Sequence, residues 1–389
     1  PGACASTIRA AVSSHSPYPE RPAAARPPRT RSASRCSSSV VPAVIRAARR
    51  GRAAAGQPAS AGAGAGEGAV RTGADAEAAR KRAERRAARI TAGTTELEQR
   101  LADLVRGGLA AAGRSGYGLW EETAARMVDA QAPGLAARVR DLGAVPGSGA
   151  GWPLRLLEEC ALLHLLDTAW LGRERLPEQL AVTVRTRVGL PSAADGGTVR
   201  DDWLILSQDD TSDGRLTTRR IWLHGRDTGR SALLLSFGAA GRTPPLALPV
   251  GLTARADVTW HGGAGQLRAE IGELLTVPAP IDAPPGGTGC AGATELYGKA
   301  LRDDPWLEAL PVVLSGVVPV PAGDGWQLAD DGGDDALPVA PAVLSRPGLW
   351  RLVALSGGRP VTVFGEFGHQ GFVPLTAWSD DPSETVPLI

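Results

Sequence analysis

Lysine is almost missing from this 389-residue chain: Lys81 and Lys299 are the only two among 42 basic residues. With abundant Ala, Gly, Pro and Arg, that points to coding DNA rich in G and C rather than to a mechanism. Cysteine is also scarce. Cys4, Cys36, Cys160 and Cys290 stand at least 32 positions apart, so no CxxC unit exists and a disulfide-stapled secreted scaffold is not expected. A reducing, cytoplasmic setting fits this usage. Long apolar runs are lacking too: the stretch from Leu154 to Leu171 is broken by Arg155, Glu158, Glu159, His164 and Asp167, short of the roughly 20 clean residues that a membrane span needs. A secretory leader is not expected from the opening residues.

An excess of one charge is likewise absent, with 42 Lys and Arg against 41 Asp and Glu, so whole-chain charge gives no case for a nucleic-acid binder. The balance hides an asymmetry. Residues 1–74 hold 11 Arg and two acids, Glu20 and Glu67, whereas the remainder has 31 basic against 39 acidic residues. That first segment is written in Ala, Arg, Ser, Pro and Gly without Trp or Phe, and buries too little to offset its ordering entropy. Its short run Val40, Val41, Val44 and Ile45 beside Arg46, Arg49 and Arg50 is the one place for a helical turn, and a solvated tail is the simpler reading.

From Asp75 the composition changes. An exposed helix is expected to about Arg89, followed by Gly93 and a second helix opened by the Thr95/Glu98 capping box. Leu97, Leu101, Leu104, Val105 and Leu109 form its apolar stripe. A third helix carries Trp120, Ala124, Met127 and Val128; Pro133 interrupts it, and Leu135, Val139 and Leu142 resume the pattern. Gly143 to Gly151 reads as a linker. Pro153 suits the first turn of the longest helix, whose apolar positions Leu156, Leu157, Cys160, Ala161, Leu163, Leu165, Leu166 and Trp170 lie on more than one face, as expected of the centre of a helical domain.

After Pro177 the alternation at Val182 and Val184 suggests that the sheet begins. Trp203–Leu206, Thr218–Leu223 and Ala232–Phe237 read as a meander, with turns at Asp213-Gly214 and Asp227–Gly229. Further strands are expected at Thr253–Trp260, Leu267–Ile271, Val312–Val320, Trp326–Leu328, Leu349–Ala354 and Pro360–Phe364, with one helical interruption from Ala293 to Leu310. The fold class is therefore α+β: a disordered N-terminal tail (1–74), a helical domain (75–181), a predominantly antiparallel β region (182–277), a linker (278–292) and a mixed, mainly β C-terminal domain (293–389).

Chemistry-bearing motifs are sparse. The five histidines, His15, His164, His224, His261 and His369, are scattered; Cys160 and His164 share a helix face at i, i+4 but find no further local ligand for zinc. The stretch Gly225–Ser231 lacks the lysine and glycine spacing of a phosphate loop and reads as a hairpin turn. Gly286–Gly292 reads as a mobile linker rather than an anion nest. Cys290 and His369 would serve a hydrolase or transferase as nucleophile and base if the fold brought them together. Candidate interaction residues are Trp222, which shares a strand face with Arg220; Arg230; and Phe367 and His369 in Phe364–Gly371. Each also has an ordinary folding role open to it. No catalytic, metal or cofactor residue is assigned.

The blocks Trp120–Leu135, Gly151–Glu159 and Arg219–Arg230 resemble a bacterial SWIM zinc-finger family protein, over about residues 75 to 378. The resemblance implies an accessory factor whose N-terminal Cys-x-Cys…Cys-x-His finger binds zinc and contacts DNA or protein partners. Here that finger has no counterpart: Cys4 and Cys36 form no Cys-x-Cys pair, and His15 follows no Cys-x-His pattern. Frameshifted translation of the finger region and genuine divergence both account for the Arg-rich beginning, which opens on Pro1 rather than Met. Zinc is thus the expectation for the family and no cofactor for this chain. The leading expectation is a non-enzymatic protein-interaction or regulatory factor with a protein partner. A nucleic-acid binder using the Arg-rich start or an intact native finger and an uncharacterised hydrolase or transferase are the alternatives.

Overall fold

The computed structural model describes residues 73–212, 216–239, 241–379 and 384–389, all within one compact unit. The tail expected over residues 1–74 lies almost wholly outside the described residues, as do Cys4, His15, Cys36 and the Asp213-Gly214 turn. Helices come first: α1 (Gly73–Gly107), α2 (Ala110–Asp129), α3 (Pro133–Leu142), α4 (Trp152–Leu171) and α5 (Glu178–Arg187). Leu97, Leu101, Trp120, Met127, Leu135, Val139, Leu156, Leu163 and Trp170 meet in one core.

The two helices expected on either side of Gly93 are one. Gly93 does not break α1, because its missing side chain is what lets α2 close in: a Cβ there would meet the Ala130 Cβ at 2.5 Å. The Thr95/Glu98 capping box does not form. Thr95 instead returns its hydroxyl to the Thr91 carbonyl at 2.9 Å, a bond made inside a continuous helix.

A second correction concerns Val182 and Val184, which lie on helix α5 rather than on a strand. Their alternation spans three residues only, and Val184 joins Val188 in the helical core. That helix crosses the boundary expected near residue 181.

The β region forms two six-stranded sheets. In the first, β1 (Thr198–Ser212), β2 (Leu216–Gly225) and β3 (Ser231–Ala239) make the expected antiparallel meander, followed by β4 (Leu252–Trp260), β5 (Arg268–Leu274) and the short β6 (Ala279–Pro280). β3 pairs with β5 in parallel, β5 with β4, and β4 with β1. The strands therefore close on themselves in a small barrel, which removes exposed edges. Its interior holds Trp203, Ile205, Ile221, Leu223, Leu234, Val258 and Trp260.

The second sheet is open and antiparallel. It comprises β7 (Ala309–Ala322), β8 (Gly325–Asp330), β9 (Ala336–Pro338), β10 (Val361–Gly368), β11 (Gly371–Trp378) and β12 (Thr385–Pro387), in the order β12-β11-β10-β7-β8-β9. One face packs under α6 (Cys290–Asp303) and α7 (Pro347–Ser356). The Asp330 carboxylate accepts the Cys290 amide at the start of α6, at 3.0 Å, where a negative charge suits the helix dipole. α7 replaces the strand expected over Leu349–Ala354 and adds a second helical interruption. Pro347 supplies its first turn, and Gly357 ends it at φ 53°.

The other face of this sheet meets the outside of the barrel. Leu204, Leu206 and Trp222 pack there against Phe364, Leu375 and Trp378. A bulge between Ile205 and Ser207 accompanies a direct bond between strands across this layer, from the Thr376 hydroxyl to the Leu206 carbonyl at 2.6 Å.

Candidate functional site

Trp222 is turned inward, 2 % exposed, with its ring edge-on to Phe364 at 6.4 Å. Its indole N–H donates to Glu366 Oε1 at 2.8 Å, and Arg220 donates to the same oxygen at 2.5 Å. The face shared by Arg220 and Trp222 is therefore covered by β10. Phe367 is also inside, against Tyr297 at 5.6 Å between centroids.

His369 sits on the exposed turn between β10 and β11. It rims a cleft of about 600 Å³ that includes Asp141, Tyr297, Trp306, Glu308 and Glu366. Burial, and then the Glu308 charge, hold the Asp141 carboxyl above its ordinary value. Arg230 lies elsewhere, in a second cleft of about 810 Å³ beside α5 and the barrel. Its guanidinium stacks 3.6 Å above the Trp260 ring. Of the four sequence-derived candidates, Trp222 packs between the sheets and Phe367 on the helix side of the second sheet, while Arg230 and His369 reach two different clefts.

The turn that carries Arg230 has a structural anchor. Asp201, fully buried, accepts from the amides of Asp202, Asp227 and Thr228 and from the Thr228 hydroxyl at 2.6 to 3.1 Å. Burial pushes its carboxyl up, but the Thr228 hydroxyl and the three amides outweigh it and hold the group below its usual value. The turn is shaped by an internal carboxylate, which accounts for the glycines of Gly225–Ser231 without a bound phosphate.

The sulfur chemistry is muted. Cys290 is buried and donates its thiol to the Leu328 carbonyl at 3.3 Å; burial, with Asp330 beside it, pushes the thiol up to about 12. Burial and Glu159 push Cys160 up to about 11. His164 does not complete a metal site with Cys160: its Nδ1 meets Glu98 Oε2 at 2.6 Å. Among the described residues no three His, Cys, Asp or Glu side chains converge to hold a metal ion. The described residues therefore do not fit the zinc that the resemblance implies, and Cys4, His15 and Cys36 lie outside them.

Helices α1 and α4 run antiparallel along a polar seam. The Trp170 indole donates to Thr91 Oγ1 at 3.1 Å, and Glu98 meets His164 one repeat further along. Between them Asp167 is fully buried, and among the described residues no donor serves either oxygen. Burial and the neighbouring Glu98 charge push its carboxyl up to about 9, so it is neutral at pH 7.

Sequence reasoning missed what lies on the far side of α4. The helix is not surrounded. Leu156, Leu163, Leu166 and Trp170 enter the core, whereas Leu154, Leu157 and Leu165 remain 42 to 63 % exposed. With exposed Ala161 they follow at helical spacing along one face. Val105 stands seven residues beyond Glu98 on α1, and Leu157 seven before His164 on α4, so by the register of that pair the two exposed side chains are level along the seam. The signal was present in the apolar residues on more than one face; only the packing shows which face is uncovered.

No curated protein and no solved structure matches the chain. The family model that does match is the SWIM-associated four-helix bundle domain, over residues 85–188. Those residues run from within α1 to the end of α5. The seam, the buried Asp167 and the uncovered face of α4 accordingly all belong to a SWIM-associated four-helix bundle domain.

Proposed function

We propose that this chain is a non-enzymatic protein-interaction factor of the SWIM zinc-finger type, holding no zinc itself and working in the cytoplasm. Its docking surface is the outer side of the α1–α4 seam, and the occupant is an amphipathic helix of a partner protein. The observation that carries this reading is the stripe of Leu154, Leu157, Ala161 and Leu165, continued by Val105.

Contiguous exposed apolar side chains mark interaction surfaces when they form a patch rather than scatter singly. Spacing of three and four residues matches the anchors of a helix laid along a groove, and Ala161 in the middle permits close approach. Exposed Glu158 borders the stripe, so the partner helix carries Lys or Arg beside its apolar face. Muted thiols at Cys160 and Cys290 support a non-enzymatic role, and their free state suits a reducing compartment.

The test compares tagged wild-type chain with a Leu154→Glu, Leu157→Glu, Leu165→Glu variant expressed from the same promoter. The variant keeps its helical circular dichroism and melting temperature but loses a stoichiometric partner that wild type retains. Equal recovery of that partner, or self-association of the wild type that the variant abolishes, removes the proposal.

A further inference from the structure

The 810 Å³ cleft beside α5 holds charges of both signs that do not neutralise one another. Arg230 from the barrel turn and Arg185 from α5 face it, as do Glu178, Asp195 and Asp303. Among the described residues none of these five side chains forms an ion pair. Oppositely charged groups sharing one water-filled cleft normally collapse together when their chains allow it. Here Arg230 is held flat on Trp260 at 3.6 Å, and Trp260 is itself fixed by Trp203 at 5.7 Å and by its indole bond to the Ser231 carbonyl at 3.3 Å. The stack leaves the N–H edge of the guanidinium available, the edge that grips a carboxylate in two parallel bonds.

His261 adds a second, independent observation. It is 5 % exposed and lines the same cleft. Nδ1 lies 3.0 Å from the Ser192 carbonyl and 3.1 Å from the Ser192 hydroxyl. Nε2 makes no hydrogen bond among the described residues, with Glu270 Oε1 3.5 Å away. A buried ring nitrogen left unserved is costly. A polar group of a ligand would serve it.

From this geometry we infer that the cleft is a binding site for a small zwitterion, a short peptide or amino acid with free carboxylate and free ammonium groups. Arg230 takes the carboxylate, with Arg185 as the second cation. The acidic side chains take the ammonium end, and His261 Nε2 meets a polar group of the ligand. The volume lies within the range of small-ligand pockets, and an extended tripeptide of roughly 10 Å suits it.

The test is isothermal titration of the full chain with trialanine, with its acetylated and amidated form, and with free glutamate. Trialanine binds saturably and quenches tryptophan fluorescence; blocking both ends weakens binding by about tenfold or more. Tighter binding of glutamate than of trialanine assigns the free amino acid as the ligand class, and the reverse assigns the peptide. Arg230→Ala weakens either ligand by a similar factor, and Arg230 is exposed, so folding is retained. Arg230→Lys recovers only part of the loss, because the fork geometry is gone. Equal binding of free and blocked peptide, unchanged affinity in Arg230→Ala, or no saturable binding of any probe at 10 mM on the order of weak-ligand limits overturns the assignment.

Discussion

The indole of Trp222 on the barrel and the carboxylate of Glu366 on the open sheet are joined at 2.8 Å across the layer between the two sheets. The same oxygen holds Arg220, so one carboxylate closes two donors from β2. Trp222→Phe keeps the apolar packing and loses the N–H. We expect a stability loss of about 1–2 kcal/mol, and a larger one of about 3 kcal/mol for Glu366→Ala, which leaves a guanidinium and an indole without their acceptor. Urea denaturation of the two single variants and the double variant checks this. A coupling energy near zero would mean that the bond contributes nothing to holding the sheets.

Asp167 makes the bundle sensitive to alkali. Its folded value of about 9 lies above the ordinary 3.8, so the folded chain keeps a proton that the unfolded chain has released. The contribution is complete below about pH 4 and is lost progressively as pH rises toward 9. Asp167→Asn removes this slope and raises the melting temperature at pH 8 more than at pH 5. Parallel pH dependence in variant and wild type would show that the carboxyl is not buried and neutral.

Asp201 acts in the opposite direction. Hydrogen bonds hold its folded value below the ordinary one, so its stabilisation is present above about pH 4 and is lost as pH falls through the folded value. Asp201→Ala leaves four donors of the Asp227–Thr228 turn and β1 unserved, with an expected cost of about 2–4 kcal/mol. Because Arg230 follows this turn, the same variant should raise exchange of the Gly229 and Arg230 amides. Unchanged exchange would detach the turn from its anchor.

Cys160 and Cys290 should resist alkylation in the native state, since both thiols are buried and held neutral, and only the thiolate reacts. Iodoacetamide at pH 8 followed by peptide mass mapping reads this directly. Modification of Cys290 within minutes would reopen the nucleophile reading.

The barrel meander was legible because its strands are bounded by turn residues and alternate on two faces: Ile221 and Leu223 point into the barrel, and Trp222 points out. Closure through β4 and β1 was not legible, since pairing between residues 57 positions apart, as at Arg200 and Asp257, leaves no local pattern. Gly93 and Thr95 misled because a glycine and a capping residue read alike whether they end a helix or serve a close contact within it. Leu349–Ala354 is short and apolar, and a segment buried on one side as helix carries no period that separates it from a strand. Of the candidate residues, Arg230 and His369 reach clefts while Trp222 and Phe367 serve packing. Neither outcome depends on neighbours in sequence: the partner of Trp222 is Glu366, and that of Phe367 is Tyr297.

A partner helix seated on the leucine stripe of α4 is tested by photo-crosslinking in cells from a benzophenone amino acid placed at Leu157, with a second at exposed Arg82 on α1 as control. One defined protein is expected to crosslink from position 157 and not from 82, through a peptide with helical apolar spacing bordered by Lys or Arg. Crosslinks of equal pattern from both positions, or only to another copy of this chain, would contradict it.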